Sequence, residues 1–312
     1  MHGRLKVRTT EEQKAIKKKE QQRKLVAYRM GMQKILCSRK SDNFDPESFA
    51  ISSQLLCVNP DIYTLWNYRK EVILLEIKNR EKDIEEEDLM KFLENEISLT
   101  EQCLLSNPKS YGSWHHRYWV LMKHPKPDWD KEFNLCTKYL NYDDRNFHCW
   151  DYRRLILNKI GVTLTAELKF STERLNANFS NYSSWHYRST LRKLDETCIN
   201  DEFYLVQNAV FTDPGDSSSW FYLRWVLSNP IVTKEKREQL LEGLEQLEEL
   251  EPDCKWILLA KCWLMGSLVL NDPEYIDLRV QFYNKLIKLD PLRKGQYLHY
   301  LTLAKKRGSE RQ

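Results

Sequence analysis

The chain has 312 residues, of which 41% are hydrophobic and 30% charged, so it can bury a substantial core and does not have a disordered composition. Nine glycines and ten prolines are few for this length, which disfavours a turn-rich β architecture and favours an all-α protein. No apolar run approaches the roughly 20 residues of a membrane span. The N-terminus is charged where a signal peptide would be apolar, so we expect a cytoplasmic protein without a transmembrane segment.

The positive charge is concentrated at the N-terminus. Residues 1–24 contain nine Lys/Arg and three Glu, a local charge of +6, whereas the whole chain carries +4, which leaves −2 for the rest. A protein that grips nucleic acid needs a basic face over its fold, so no nucleic-acid partner is expected. A helix is predicted from Glu11 to about Cys37, within an N-terminal segment of residues 1–40 that precedes a repeat region of residues 41–312.

Tryptophans divide residues 41–312 into repeats. Their spacings are 48, 36, 35, 35 and 36 residues, at Trp66, Trp114, Trp150, Trp185, Trp220 and Trp256. Periods of this length without strand signals indicate stacked helix pairs. We therefore predict a solenoid similar to tetratricopeptide repeats, a right-handed superhelical crescent of about seven pairs and about fifteen helices. The predicted pair starts are Pro46, Asp88, Asp128, Thr165, Thr197, Thr233 and Pro273.

Prolines and arginines stand at constant places in the repeat. A proline ends the first helix of five pairs, because it lacks an N–H and crowds the preceding turn; these are Pro60, Pro108, Pro214, Pro252 and Pro291. An arginine follows the tryptophan by three residues in four pairs, at Arg69, Arg117, Arg153 and Arg188. This spacing places the two side chains on one helical face. We interpret both as packing residues, with each arginine capping carbonyls or pairing with an acid of the next repeat.

Motifs of self-contained enzymes are missing. The chain has no glycine-rich phosphate loop, no His-Glu-x-x-His and no nucleophile elbow. Eight cysteines show no Cys-x-x-Cys and no short Cys/His cluster, so we expect neither a disulfide framework nor a metal site on this chain.

Three repeat segments resemble those of protein prenyltransferase α subunits: Asn107–Arg117, Arg145–Arg153 and Asn178–Arg188. The likeness covers about residues 46–300 and rests on five copies in register. Within the family, these segments and the opening Met1–Val7 are most similar to the Rab geranylgeranyltransferase, or type II, kind. The α subunit that farnesyltransferase and geranylgeranyltransferase type I share generally begins with a proline-rich extension, which this sequence lacks.

The resemblance implies a heterodimeric enzyme. In this family the α subunit wraps a β subunit that supplies a catalytic zinc and the lipid pocket. The implied reaction transfers geranylgeranyl from geranylgeranyl diphosphate to C-terminal cysteines of Rab GTPases, presented by a Rab escort protein. Zinc would lower the pKa of the acceptor cysteine, and cationic groups would stabilise the leaving diphosphate.

The resemblance also implies site residues. Lys109 matches the family's α-subunit lysine beside the diphosphate, Tyr111 its aromatic companion, and His148 a third group at the edge of the pocket. His2 lies near where the family places the partner's zinc and is a possible contact to that metal.

One departure and two alternatives accompany this interpretation. Animal Rab-type α subunits commonly carry an immunoglobulin-like insert after the fifth repeat and a leucine-rich-repeat tail, whereas residues 229–233 lead directly into the sixth pair here. The alternatives are the α subunit shared by farnesyltransferase and geranylgeranyltransferase type I, and a non-enzymatic helical-repeat scaffold of the RNA-processing type.

Overall fold

The computed structural model of the chain describes residues 10–41, 44–80, 86–268 and 273–309. Over these residues it contains fifteen α-helices, one 3₁₀ helix and no strand, which confirms the predicted all-α class. Helix α1 spans Glu11–Lys40 and ends three residues later than predicted. The first helices of seven pairs, α2, α4, α6, α8, α10, α12 and α14, span Pro46–Val58, Glu86–Ser106, Trp129–Tyr142, Leu164–Ala177, Ile199–Thr212, Lys234–Leu250 and Pro273–Leu289.

The second helices complete the pairs. These helices, α3, α5, α7, α9, α11, α13 and α15, span Tyr63–Arg80, Tyr111–Leu121, Phe147–Leu157, Tyr182–Leu191, Ser217–Leu227, Lys255–Leu268 and Lys294–Ser309, and the 3₁₀ helix Pro291–Arg293 precedes the last of them. All seven pair starts therefore lie within two residues of their predicted positions. No helix in the described part of the chain is both long and apolar enough to cross a bilayer.

The chain divides into two compact units. One contains the described parts of Met1–Tyr139 together with Asn146–Ile160, and the other contains Leu140–Arg145 and the described parts of Gly161–Gln312. In each unit the second helices pack on one another, α3 on α5 and α5 on α7 in the first, α9 on α11 and α11 on α13 in the second. Each unit is therefore a stack of helix pairs, as the predicted solenoid requires.

Four repeat tryptophans, Trp66, Trp114, Trp185 and Trp220, each donate a hydrogen bond to a carbonyl in the turn before their own helix. Trp66 Nε1 donates to the carbonyl of Pro60 at 2.8 Å, and Trp114 Nε1 donates to that of Pro108 at 2.9 Å. The first helix of these pairs ends two residues before the proline, as predicted. The turn carbonyl thus keeps a buried partner, which an apolar side chain could not provide.

The turns also join successive pairs. The carbonyl of Pro60 accepts a second hydrogen bond from Ser110 Oγ at 3.2 Å, and that of Pro108 accepts one from Asn146 Nδ2 at 3.0 Å. Ser110 and Asn146 are the N-caps of α5 and α7, so the same side chains start their own helices. The positions of the N-terminal ends of α5 and α7 are therefore defined by buried polar contacts.

Candidate functional site

Lys109 lies in the turn that connects α4 to α5. Its backbone N–H donates to Asn107 Oδ1 at 3.1 Å, and its side chain is exposed. Ser110 follows as the N-cap, its hydroxyl accepting from the backbone N–H of Ser113. The N-terminal end of a helix carries a partial positive charge, and the ammonium group of Lys109 adds a full charge beside it. This end of α5 is therefore suited to an anionic ligand.

Tyr111 and His148 lie in the first turns of α5 and α7. Tyr111 is the first residue of α5 and is 59% exposed, whereas His148 in the first turn of α7 is buried. The two rings meet edge to face, with centroids 4.1 Å apart and planes at 89°. The ring of Phe147 also contacts the imidazole, at 3.9 Å between centroids. The packing of α5 on α7 thus holds His148 against two aromatic rings.

Lys109 acts electrostatically on His148. Burial is the main cause that lowers the pKa of His148, and the cation of Lys109 lowers it further, while Asp151 and Asp61 act in the opposite direction. The imidazole is therefore neutral near pH 7 and can still donate one hydrogen bond. The structure thus brings together Lys109, Tyr111 and His148, which we call the Lys109 cluster.

His2 lies outside the described residues. Within the described ranges, no group of three or more His, Cys, Asp or Glu side chains is arranged to hold a metal ion. All eight cysteines are free thiols. Burial is the main cause that raises the pKa of Cys103 and of Cys262 to about 12, so neither is a thiolate, the form that binds metals, near neutral pH.

The repeat arginines lie in the protein interior, away from solvent. Arg117 donates from Nε and Nη2 to the two oxygens of Glu132, both at 2.6 Å, and from Nη1 to the carbonyl of Ile97 and to Thr100. Arg69 donates from Nε and Nη2 to the two oxygens of Glu96 in the same way, and Arg188 does so to those of Glu202. Each arginine therefore joins the first helix of its own pair to the first helix of the next pair.

Arg153 and the tryptophans are packing residues as well. The guanidinium of Arg153 lies 3.8 Å from the ring centre of Phe133 and donates to Thr137 Oγ1 at 3.0 Å. The tryptophans predicted as structural are all buried: Trp66, Trp114, Trp150, Trp185 and Trp220. None of these nine side chains is part of the Lys109 cluster. The aromatic residues three positions before the tryptophans behave differently, because Tyr63, Tyr111 and Phe147 are about half exposed.

The buried glutamates are a feature that the sequence analysis missed. Glu96 accepts from His116, and Glu132 from Tyr152, while in the other unit Glu202 accepts from Tyr222. In each case the two residues are 20 positions apart, and the donor follows a repeat tryptophan by two residues. This constant spacing is the sequence signal from which the buried glutamates could have been predicted. It was overlooked because the glutamates stand in segments otherwise rich in exposed charge.

A model of the "Protein prenyltransferase alpha subunit repeat" matches the chain at residues 45–75, 93–124, 129–160, 164–193 and 199–230. These ranges cover half of the chain. The chain belongs to the protein prenyltransferase α-subunit family. The matched ranges lie in the first five helix pairs.

Several curated relatives carry one name, "Geranylgeranyl transferase type-2 subunit alpha". The protein of Dictyostelium discoideum is 39% identical over 316 residues, which cover 95% of this chain and 98% of the relative. The protein of Schizosaccharomyces pombe is 32% identical over 95% of this chain and 96% of the relative. The human protein is 44% identical over 240 residues, 73% of this chain but only 42% of the relative. The chain thus spans less than half of the human relative, and the predicted likeness to the type II kind is confirmed.

A solved structure shows the same fold. A chain of "Candida albicans protein geranylgeranyltransferase-I complexed with GGPP" superposes with a TM-score of 0.66, covering 86% of this chain and 88% of that chain. The sequence identity is 20%, so the likeness establishes a shared helix-pair fold and no more.

Proposed function

We propose that the chain is the α subunit of a heterodimeric Rab geranylgeranyltransferase. The observation that carries this proposal is the Lys109 cluster, a cation, a phenol and a neutral imidazole at the N-terminal ends of two adjacent helices of a type-2-like chain. The reaction would transfer geranylgeranyl from geranylgeranyl diphosphate to C-terminal cysteines of a Rab GTPase. A Rab escort protein would present that substrate in the cytoplasm.

A β subunit would supply the metal and the lipid pocket. Within the described residues this chain offers no cluster of metal ligands, and burial raises the pKa of the Cys103 and Cys262 thiols to about 12. In this proposal the zinc belongs to the β subunit, where it would favour the thiolate form of the acceptor cysteine. The contribution of the α chain is then electrostatic and structural.

Lys109 would act on the leaving group. As the bond to the diphosphate breaks, negative charge gathers on the diphosphate oxygens, and an ammonium group beside a helix N-terminus stabilises that charge. Tyr111 offers a hydroxyl from an exposed ring, and His148 offers one N–H because its imidazole is neutral. In this role Lys109 is a catalytic residue, while Tyr111 and His148 bind and orient the diphosphate.

Exposed aromatic rings offer a surface for the β subunit. In the first unit Tyr63, Tyr111 and Phe147 occupy the same repeat position, and the rings of Tyr111 and Phe147 lie 5.9 Å apart. In the second unit Tyr182 and Phe221 lie 6.1 Å apart at 87° and are also about half exposed. Clustered exposed aromatic groups are typical of interfaces between proteins.

Coexpression with different β subunits tests the proposal. The chain would be produced with a type-2 β subunit, a type-I β subunit or a farnesyltransferase β subunit, and each complex would be assayed with labelled geranylgeranyl and farnesyl diphosphate. We expect a stable heterodimer with the type-2 partner, about one zinc per complex, and transfer of geranylgeranyl to a Rab only when the escort protein is present.

Other results would contradict the proposal. A preference for the type-I or farnesyltransferase β subunit would assign the chain to the shared α-subunit type. A soluble monomer that binds none of the three β subunits would indicate a helical-repeat scaffold without transferase activity. Tight zinc binding by the isolated chain would show that the metal is not held by the partner.

A further inference from the structure

Three arginines line one cavity of the second unit. Arg224 of α11, Arg237 of α12 and Arg279 of α14 border a cavity of about 400 Å³. Its walls include the rings of Trp263, Tyr283 and Tyr300. We call this the arginine cavity. It belongs entirely to the second unit, whereas the Lys109 cluster belongs to the first, and nothing in the proposed transferase reaction uses it.

Arg237 is a buried cation with neutral partners. It is 9% exposed and donates to the carbonyls of Val232 and Asn229 and to Ser267 Oγ, at 3.2, 3.1 and 3.0 Å. These bonds use three of the five N–H groups of the guanidinium. Burial alone lowers the pKa of Arg237. Arg188 in the same unit differs, because Glu202 accepts from it at 2.6 and 2.8 Å.

Arg279 is held against the cavity wall. Its Nε is buried and has no hydrogen-bond partner among the described residues. A Cβ added at Gly266 would lie 3.5 Å from its Cζ, so the guanidinium packs directly on the backbone of α13. Arg224 lies over the ring of Trp263, with its Cζ 5.2 Å from the ring centre. Two of the three cations are therefore positioned by packing.

The described lining of the arginine cavity carries no negative charge. None of the described residues that line it is Asp or Glu; besides the arginines and rings these are Leu227, Ser228, Cys262, Gly266, Ser267 and Leu303. Arg237 is buried and Arg279 half-buried, so holding these two cations together with the exposed Arg224 around a partly apolar space is unfavourable without a counter-ion. Arg188, a buried arginine of the same unit, has the carboxylate of Glu202 as its partner within the fold. The missing counter-ion of the arginine cavity would then come from a ligand.

We propose that the arginine cavity binds a phosphate monoester carried on an aromatic or apolar group. A phosphate monoester carries about −1.5 to −2 charges near pH 7, so it matches several guanidinium groups better than a single carboxylate does. Guanidinium groups bind phosphate oxygens with paired N–H donors. Trp263, Tyr283, Tyr300 and the two leucines provide apolar contact for the rest of the ligand, and the volume lies in the usual range of small-molecule sites.

Calorimetric titration of the full chain with four probes tests the proposal. The probes are phenyl phosphate, inorganic phosphate, phenol and a phosphotyrosine peptide. We expect phenyl phosphate to bind one per chain, inorganic phosphate to bind at least 10-fold more weakly, and phenol not to bind. Tighter binding of the peptide than of phenyl phosphate would identify a phosphorylated protein as the source of the group, and equal binding would identify a free small phosphate. Both results support binding of a phosphate monoester in the arginine cavity.

Substitutions of the cavity arginines test whether phenyl phosphate binds in the arginine cavity. Arg279→Gln and Arg224→Gln should each weaken phenyl phosphate binding by at least 10-fold, and Arg279→Lys should restore only part of it. Lys288→Gln removes the same charge from the opposite face of α14 and should leave binding unchanged. Thermal melting of each variant would show that it is folded. Absence of saturable binding, equal binding of phenol, or an equal loss in Lys288→Gln would overturn the proposal.

Discussion

His148 and Tyr111 meet edge to face across two successive helix pairs, with ring centroids 4.1 Å apart. Tyr111 is more than half exposed and His148 is buried, so one ring of the pair is open to solvent while the other is packed in the interior. The contact depends on the N-terminal ends of α5 and α7, which are tied to the same turn through Pro108. The geometry of the Lys109 cluster is therefore set by the repeat packing beneath it.

Removal of the Lys109 ammonium should slow the chemical step of the proposed reaction. In a heterodimer, Lys109→Ala is expected to lower the single-turnover rate by roughly 10- to 1,000-fold, the range for losing one electrostatic stabiliser. Affinity for the protein substrate should change little. Lys109→Arg should recover only part of the rate, because a planar fork does not reproduce a compact point charge.

Two other variants serve as controls for this measurement. Lys123→Ala removes an exposed lysine beyond the opposite end of α5 and should leave the rate unchanged. Arg117→Ala should instead lower the melting temperature, because it leaves Glu132 buried without its cation, at a cost of about 3 to 5 kcal/mol. An unchanged rate in a well-folded Lys109→Ala heterodimer would exclude Lys109 from the active site.

The charge of Lys109 should also be detectable in the titration of His148. Burial and the Lys109 cation both lower the pKa of His148. Removing the cation favours the imidazolium, so Lys109→Ala should move the pKa of His148 upward. Histidine ring signals followed by NMR from pH 4.5 to 8, assigned with a His148→Asn variant, would measure the shift. Lys123→Ala should leave the titration unchanged, and so should Lys109→Ala if the ammonium does not face the ring.

Gly112 is predicted to be essential for packing between the first two helix pairs. A Cβ at this position would lie 2.6 Å from Trp66 Nε1 and 3.0 Å from the carbonyl of Pro60, where these two groups form a hydrogen bond. Gly112→Ala should therefore lower the free energy of unfolding by about 1 to 3 kcal/mol, the usual cost of overpacking. Gly295→Ala has open space around its Cβ and should be neutral or slightly stabilising. Melting curves of both variants would test this difference, and an unchanged melting temperature of Gly112→Ala would contradict the prediction.

The repeat architecture was accessible to sequence reasoning because it depends on local signals. A proline that follows an amphipathic stretch ends that helix, and a tryptophan six residues later can reach the turn carbonyl, so Pro60 and Trp66 mark both the boundary and the core. The contact between Tyr111 and His148 was not accessible in the same way. It results from the packing of α5 on α7, which no spacing within one helix reports.

The partners of the buried arginines were harder to recognise for a different reason. Arg69 and Glu96 are 27 positions apart, whereas Arg117 and Glu132 are 15 apart, because the connection within the first spacing is longer. The distance from arginine to acid therefore changes between repeats. The interval that stays constant is the one of 20 residues from each glutamate to the second residue after the next tryptophan, as Glu96 and His116 show.

Glu96 provides a test of how these buried pairs support the fold. Arg69 and His116 both donate to it, and although burial alone would raise its pKa, the charge of Arg69 and the hydrogen bonds lower that pKa to about 2. Because the ordinary value is 4.5, the ionised group contributes stability above about pH 4.5, and this contribution is lost as the pH falls from 4.5 towards 2. Glu96→Gln should therefore be strongly destabilised at pH 7, by about 3 kcal/mol or more, with Arg69 left without its carboxylate.

The difference in unfolding free energy between Glu96→Gln and the unmodified chain should narrow when the pH falls below 4.5. Glu96 is then protonated in the unfolded chain while it is still ionised in the folded chain, so proton uptake on unfolding offsets part of the stability that the charge provides. Urea unfolding of both proteins at pH 7, 5 and 3.5 would measure this convergence. Glu94→Gln changes an exposed carboxylate two residues earlier on α4 and should follow the unmodified chain at every pH. A constant difference between Glu96→Gln and the unmodified chain across this range would mean that Glu96 contributes through packing and not through its charge.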